Sequence, residues 1–327
     1  VDIFDIKNEA DFRKSCLEVF RYQYENVPVY HKFVDFLNVN PENIREIEEI
    51  PFLPIEMFKT QNISDQKTLP SLFFESSGTT QMQRSKHWIS DENIYQKSLY
   101  KSFQQFIGKP EDFVFLGLLP SYLERKNSSL VYMVDYLMSV SQHPENGYFL
   151  YNHEDLLKQI QQLEIQEKKY IIFGVSFALL DFLETIKKLN LQDWSLKNGI
   201  IIETGGMKGR KKEITKDELL SELQAGFGTP KIFSEYSMTE LLSQAYSLGN
   251  NEYLTPPWMR ILIRSVEDPF TYINPGKTGA INIIDLANWH SCAFIATKDL
   301  GKIHEDKFQV LGRMDHSDIR GCSLLVS

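Results

Sequence analysis

Residues 170–188, YIIFGVSFALLDFLETIKK, decide the fold. The first six form an unbroken apolar run, the pattern of a strand covered on both faces. From residue 178 to 188 apolar positions recur at helical spacing with charges between them. The alternation continues in both directions. Upstream, residues 113–119 (FVFLGLL) read as a second doubly covered strand. A helix opens at 124–129 and runs to about Val140, and another starts at Asn152-His153-Glu154-Asp155. Downstream, a strand at 199–203 precedes a helix near 215–223 and a strand at 231–235. Strands alternating with helices predict an α/β fold with a large, helix-covered, mostly parallel sheet. In such sheets ligands sit at the carboxyl ends of the strands.

The flanks differ in texture. Within residues 9–38, Phe12, Cys16, Val19, Phe20, Tyr24 and Val27 follow a helical spacing until Pro28 interrupts. Pro51-Phe52-Leu53-Pro54 forces extended backbone. Ser90, followed by Asp91 and Glu92, reads as a helix N-cap with acidic groups in the first turn, opening a helix to about Gly108. Past residue 250, Pro256-Pro257 marks a joint. Runs at 259–266, 279–286 and 293–296 then look like short strands, split by Asn274-Pro275-Gly276. The expected organisation is an α/β core over residues 1–250 and a smaller β-rich lobe over 251–327.

Composition bounds the function. The chain has 327 residues, 42% apolar and 24% charged, as in ordinary soluble proteins. A net charge of −9 argues against a nucleic-acid partner. No apolar run approaches the roughly 18 residues of a membrane span, and no signal pattern opens the chain. Cys16, Cys292 and Cys322 stand at no metal-like spacing and read as free thiols of a cytoplasmic protein.

Four loops carry candidate chemistry. In FFESSGTTQMQRSKHWIS (73–90), Phe73-Phe74 runs into Ser76, Ser77, Gly78, Thr79 and Thr80, with Arg84 and Lys86 following before the chain turns helical. Hydroxyls and backbone N–H groups around one glycine can cradle an anion, although the same composition also makes an ordinary turn. After the strand at 199–203 come Gly205, Gly206, Lys208 and Arg210, three glycines in the loop with two cations, which suit a nucleotide or a carboxylate. A loop that only needs positive φ is the alternative. After the strand at 231–235, Tyr236, Thr239 and Glu240 can stack on a base, touch a phosphate and hold Mg²⁺. Here the alternative is a helix N-cap. Near the C-terminus, Asp299 can bind a sugar diol and Arg313 a diol or a phosphate, or each can sit in a surface ion pair.

In this order, the hydroxyl loop, the glycine pair, Tyr-x-x-Thr-Glu, Thr297-Lys298-Asp299-Leu300-Gly301 and Gly312-Arg313-Met314-Asp315 resemble the adenylate-forming superfamily. Within it the chain is most similar to the acyl-protein synthetases of the LuxE family. The wording behind that likeness is Ile50-Pro51-Phe52-Leu53-Pro54-Ile55, residues 118–125 (LLPSYLER), residues 203–210 (ETGGMKGR) and Ile319-Arg320-Gly321-Cys322. The resemblance implies ATP and Mg²⁺ as cofactors and a carboxylic, fatty-type acid as substrate, converted to acyl-AMP. It also implies a partner protein, a reductase or carrier, that receives the acyl group. Ser76 to Thr80 would lie on the β- and γ-phosphates, Gly205, Gly206 and Tyr236 along adenine and the acyl pocket, Thr239 at the α-phosphate, and Glu240 on Mg²⁺. Asp299 would hold the ribose, with Arg313 close by, and Cys322 would carry the acyl group.

The chain departs from the family pattern in three places. Gln81-Met82-Gln83-Arg84-Ser85-Lys86 replaces Gly-x-Pro-Lys-Gly, leaving Lys86 or Arg84 to stand in for the lysine. Ser237 occupies the usual glycine after Tyr236. The superfamily's mobile C-terminal domain, which carries an adenylation lysine, is expected to be absent, so Lys208 and Arg210 become the candidate cations for the α-phosphate. Two other classes stay open: a CoA ligase that releases a free thioester, and a non-catalytic nucleotide-binding subunit.

Overall fold

The computed structural model describes residues 2–77, 83–120, 126–191, 194–205 and 214–314. The chain divides into two compact units, one of Val1–Phe73, Thr80–Asp91 and Leu254–Ser327, the other of Phe74–Thr79 and Glu92–Tyr253. In this division the segment up to Phe73 groups with the C-terminal strands. Long-range polar contacts contribute to that grouping, and periodicity does not reveal them. Gln23, fully buried, donates through Nε2 to the carbonyls of Asn288 and Trp289, and its Oε1 accepts from the Ala293 N–H.

The first unit opens with helix α1, Glu9–Asn26, capped by the Asn8 side chain on the Asp11 N–H. Pro28 does not end the helical region; it is the first residue of α2, Pro28–Phe36. In that position its missing N–H leaves no bond unmade. Strand β1, Leu53–Pro54, and the short helix α3, Met57–Thr60, follow. Strand β2 covers Leu72–Glu75 and β3 covers Lys86–Ile89. The sequence predicts no strand between the hydroxyl loop and the next helix. Here β3 runs beside the start of β2, with the Ser71 N–H donating to Ile89 O at 2.9 Å and the Phe73 and Trp88 rings 4.8 Å apart.

The second unit holds helix α4, Glu92–Phe106, then β4, Val114–Leu118, α5, Ser129–Ser141, and β5, Gly147–Tyr148. It continues through α6, His153–Ile165, β6, Tyr170–Val175, α7, Ser176–Lys188, and β7, Gly199–Thr204. It closes with α8, Lys216–Phe227, β8, Ile232–Tyr236, and β9, Ala245–Ser247. The strands lie in the order β9-β8-β7-β6-β4-β5, parallel throughout except for β9, which runs antiparallel to β8. Every residue of β4 and β6 is buried, as their continuous apolar runs require. Thr215 and Glu218 form a capping box that starts α8, and Gly228, at φ 62°, ends it.

A two-residue strand β10, Tyr253–Leu254, spans the boundary. The first unit then resumes with β11, Met259–Arg264, β12, Gly279–Asp285, β13, Phe294–His304, and β14, Lys307–Arg313. These form an antiparallel run in that order, with β1 pairing in parallel against Ile295 and Ala296 at the start of β13. The expected strand at 293–296 is therefore much longer, and the Thr297–Gly301 motif lies inside it. Its polar residues do not read as a strand alone, but β14 supplies the partner ladder from Asp299 onward. Among the described residues, no helix is long and apolar enough to cross a membrane.

Candidate active site

Parallel pairing sets the geometry of the site. Val175 lies opposite Thr204, and Thr204 lies opposite Glu235, so the carboxyl ends of β6, β7 and β8 stand in a row. The chain leaves β7 through Gly205, whose φ of 72° favours glycine. It leaves β8 through Tyr236, which is buried, with Thr239 half-buried and Glu240 5% exposed in the turn beyond. No helix follows there. The chain returns as β9, so Thr239 caps no helix and the open alternative for this segment is removed. The Tyr236 ring meets Tyr253 edge-on, with centroids 5.9 Å apart.

A polar cluster, which the sequence reading missed, underlies these ends. Glu203 is fully buried and forms an ion pair with Lys216, the first residue of α8, while Ser176 Oγ donates to its other oxygen at 2.8 Å. Glu235 is 4% exposed and its Oε2 accepts from Thr204 Oγ1 at 2.5 Å. Burial pushes the Lys216 ammonium down to about 8, opposed by the charge of Glu235. Burial pushes Glu235 up, opposed by the Thr204 bond and by Lys216. A signal was present in the sequence: GIIIET and IFSEY each place a carboxylate inside an otherwise apolar strand, which is costly unless the carboxylate is partnered.

These shifts give a pH test. A carboxyl with a raised folded pKa holds its proton where the unfolded chain has lost it, so its contribution to stability falls as pH rises above the ordinary 4.5. Glu235→Gln removes that dependence. The variant is expected to melt higher than wild type at pH 8, with the difference shrinking as pH falls toward 4.5. Thermal unfolding across that range measures it, and a difference independent of pH would show Glu235 ionised in the fold.

The other expected site residues fall as follows. Ser76 and Ser77 follow β2, whose buried Phe74 packs on Tyr95 and Tyr132, with centroids 5.5 and 5.4 Å away. Lys86 is exposed, with its ammonium 5.3 Å from the Phe73 ring centroid. In the first unit Asp299 and Arg313 are cross-strand partners on β13 and β14, with Arg313 Nε 3.9 Å from Asp299 Oδ1. Gly78, Thr79, Thr80, Gly206, Lys208, Arg210 and Cys322 lie outside the described residues. Gly205, Tyr236, Thr239 and Glu240 thus share one set of strand ends, and Asp299 and Arg313 are paired. Among the described residues, no group of three or more His, Cys, Asp or Glu side chains could hold a metal ion. Mg²⁺ is commonly held by one or two carboxylates together with substrate phosphates, so a single buried carboxylate such as Glu240 suits it.

Comparison with known proteins agrees with this architecture. No curated protein sequence matches the chain. Among solved structures, 2-hydroxyisobutyryl-CoA ligase in complex with 2-HIB-AMP and CoA superposes with a TM-score of 0.72 at 12% identity, over 95% of this chain and 70% of that one. ATP-bound MatB from Rhodopseudomonas palustris gives 0.56 at 15% identity, over 77% and 49%. A long-chain-fatty-acid-CoA ligase from Archaeoglobus fulgidus gives 0.55 at 15%, over 75% and 52%. At such identities the likeness is one of fold. The family described as acyl-protein synthetase, LuxE, matches residues 4–327, nearly the whole chain, and to that family, with the fold of the adenylate-forming ligases, this protein belongs.

Proposed function

We propose that this protein uses ATP to activate a fatty-type carboxylic acid as acyl-AMP, then carries the acyl group on Cys322 and delivers it to a thiol of a partner protein. The observation that carries this reading is the side-by-side placement of the β7 and β8 ends, with Gly205 next to the Tyr236–Glu240 turn. Family membership supports it.

A carboxylate oxygen of the acid attacks the α-phosphorus, and pyrophosphate leaves with the bonding pair. The Cys322 thiolate then attacks the acyl carbon, and AMP leaves as its phosphate anion. Both steps depend on positioning and fixed charge more than on covalent participation by other residues. Tyr236 and Gly205, with Gly206, line the adenine and acyl side. Thr239 meets the α-phosphate, and Ser76 to Thr80 hold the β- and γ-phosphates, with Lys86 in the role of the family's lysine. Asp299 accepts the ribose hydroxyls, with Arg313 as its neighbour, and Lys208 and Arg210 supply positive charge to the α-phosphate. Mg²⁺ at Glu240, when bound, neutralises phosphate charge.

ATP–pyrophosphate exchange across a panel of fatty and aryl acids tests the reading. Exchange with at least one fatty acid is the expected result. Exchange with none of them would leave a nucleotide-binding subunit, and release of a free CoA thioester would make the protein a CoA ligase.

A further inference from the structure

We propose that Arg264 and Thr297 are positioning residues, which fix a bulge in β13 and so set Asp299 against the ribose hydroxyls of ATP. Their role deepens the proposed function and rests on its reading of Asp299 as the ribose acceptor. The pairing registers locate the bulge. Asn282 on β12 lies opposite Ala296, and Ala280 lies opposite Leu300. Between those rungs β12 contributes Ile281 alone, whereas β13 contributes Thr297, Lys298 and Asp299. Extra residues on one strand push its backbone out of the ladder and re-aim the side chains they carry. On its other edge β13 pairs with β1 as far as Ala296 and with β14 from Asp299 onward. Asp299 therefore stands where β13 exchanges one partner strand for another.

Side chains hold the backbone at this exchange. Arg264, 8% exposed at the end of β11, spans β12 to reach β13. Its Nη1 donates to the Ile281 carbonyl at 3.1 Å and to Asn282 Oδ1 at 3.0 Å. Its Nη2 donates to the Thr297 carbonyl at 2.8 Å. One guanidinium thus ties the single residue of β12 to the first residue of the bulge. Thr297, 1% exposed, completes the tie. Its Oγ1 donates to the same Ile281 carbonyl at 2.8 Å and accepts the Asp299 N–H at 3.1 Å. Lys298 is anchored separately, with its ammonium 2.5 Å from Glu56 Oε1 and its carbonyl accepting the Met314 N–H at 2.8 Å.

Packing does not account for an arginine here. All three oxygens that accept from Arg264 are uncharged, and burying a cation among uncharged oxygens is unfavourable beside an apolar side chain of the same volume. What an apolar side chain lacks is the rigid fork, whose Nη1 and Nη2 meet acceptors on two strands at once. Lysine keeps the charge and loses the fork. Without these donors the Ile281 and Thr297 carbonyls are left undersatisfied, and the bulge is free to relax. A shift of about 1 Å in a positioning group is enough to forfeit much of its effect.

The test uses the full chain with Arg264→Lys, Thr297→Val, Thr297→Ser, Asp299→Ala and the double variant Arg264→Lys/Asp299→Ala. Calorimetry with Mg²⁺ and without acid reads Kd for ATP and for 2′,3′-dideoxy-ATP, which lacks both ribose hydroxyls. Wild type should favour ATP by about tenfold or more, the range for hydrogen bonds to a charged acceptor. Asp299→Ala should erase most of that preference. Arg264→Lys and Thr297→Val should cut it to about twofold by weakening ATP alone, with dideoxy-ATP bound as in wild type. Thr297→Ser, which keeps the hydroxyl, should retain it. The double variant should discriminate no worse than Asp299→Ala, because both changes remove one interaction. The proposal is overturned if Arg264→Lys melts lower yet keeps the preference, if it weakens both nucleotides equally, or if the two losses add. Where Arg264→Lys does not fold, Thr297→Val against Thr297→Ser decides. A wild type that binds both nucleotides equally, or neither, would sink the reading of Asp299 and the proposal with it. Intact ATP preference without pyrophosphate exchange would sink adenylation alone.

Discussion

Glu240→Gln is expected to lower ATP–pyrophosphate exchange on the order of tenfold to a thousandfold, the range for losing one electrostatic stabiliser of a charged transition state. The substitution keeps the side chain's shape and removes its charge. Glu240 is 5% exposed in the turn beyond β8, outside the strand ladder, so a cation reaching it meets a carboxylate in a low-dielectric setting. The loss should appear in kcat and in Mg²⁺ dependence, with a melting temperature near that of wild type. Unchanged exchange, or a collapse in melting temperature, would assign Glu240 to the packing of the turn.

A second large effect is expected at Cys322. With ATP and a radiolabelled acid, the protein should acquire label through a bond that neutral hydroxylamine cleaves. Cys322→Ala should abolish that label and keep pyrophosphate exchange, because adenylation precedes thiol attack. The fold makes the other two cysteines clean controls. Cys16 and Cys292 are fully buried, and burial pushes both thiols up to about 12, so neither is a thiolate near neutral pH. Cys292 also donates its S–H to the Phe294 carbonyl at 3.3 Å. Cys16→Ala and Cys292→Ala should therefore keep both label and exchange. Label surviving in Cys322→Ala would place the acyl group elsewhere, and brisk exchange without any label would favour a CoA ligase.

Much of the α/β unit was legible because its signals are local. The apolar runs of β4, β6 and β7 are continuous because neighbours cover both faces, and the caps of α5 and α8 are written in Ser128 and in Thr215 with Glu218. The loops that follow those strands were legible for the same reason, since glycine, hydroxyl and carboxylate cluster within a few residues. The β3 strand and the long β13 were harder to read. Their residues alternate weakly, and partners distant in sequence supply the ladder.

Glu203, Lys216 and Glu235 mark where local reading ends. In sequence they are a strand carboxylate, the first residue of a helix and another strand carboxylate, with nothing to pair them. Residue order alone established the alternating strands and helices, the loops at the strand ends and the family resemblance, because each rests on neighbours along the chain. Tertiary structure alone decided that β6, β7 and β8 lie side by side, that Lys216 neutralises Glu203, and that Asp299 faces Arg313. Sheet order and burial bring these groups together, and in a low dielectric a buried charge must find its partner across space rather than along the chain.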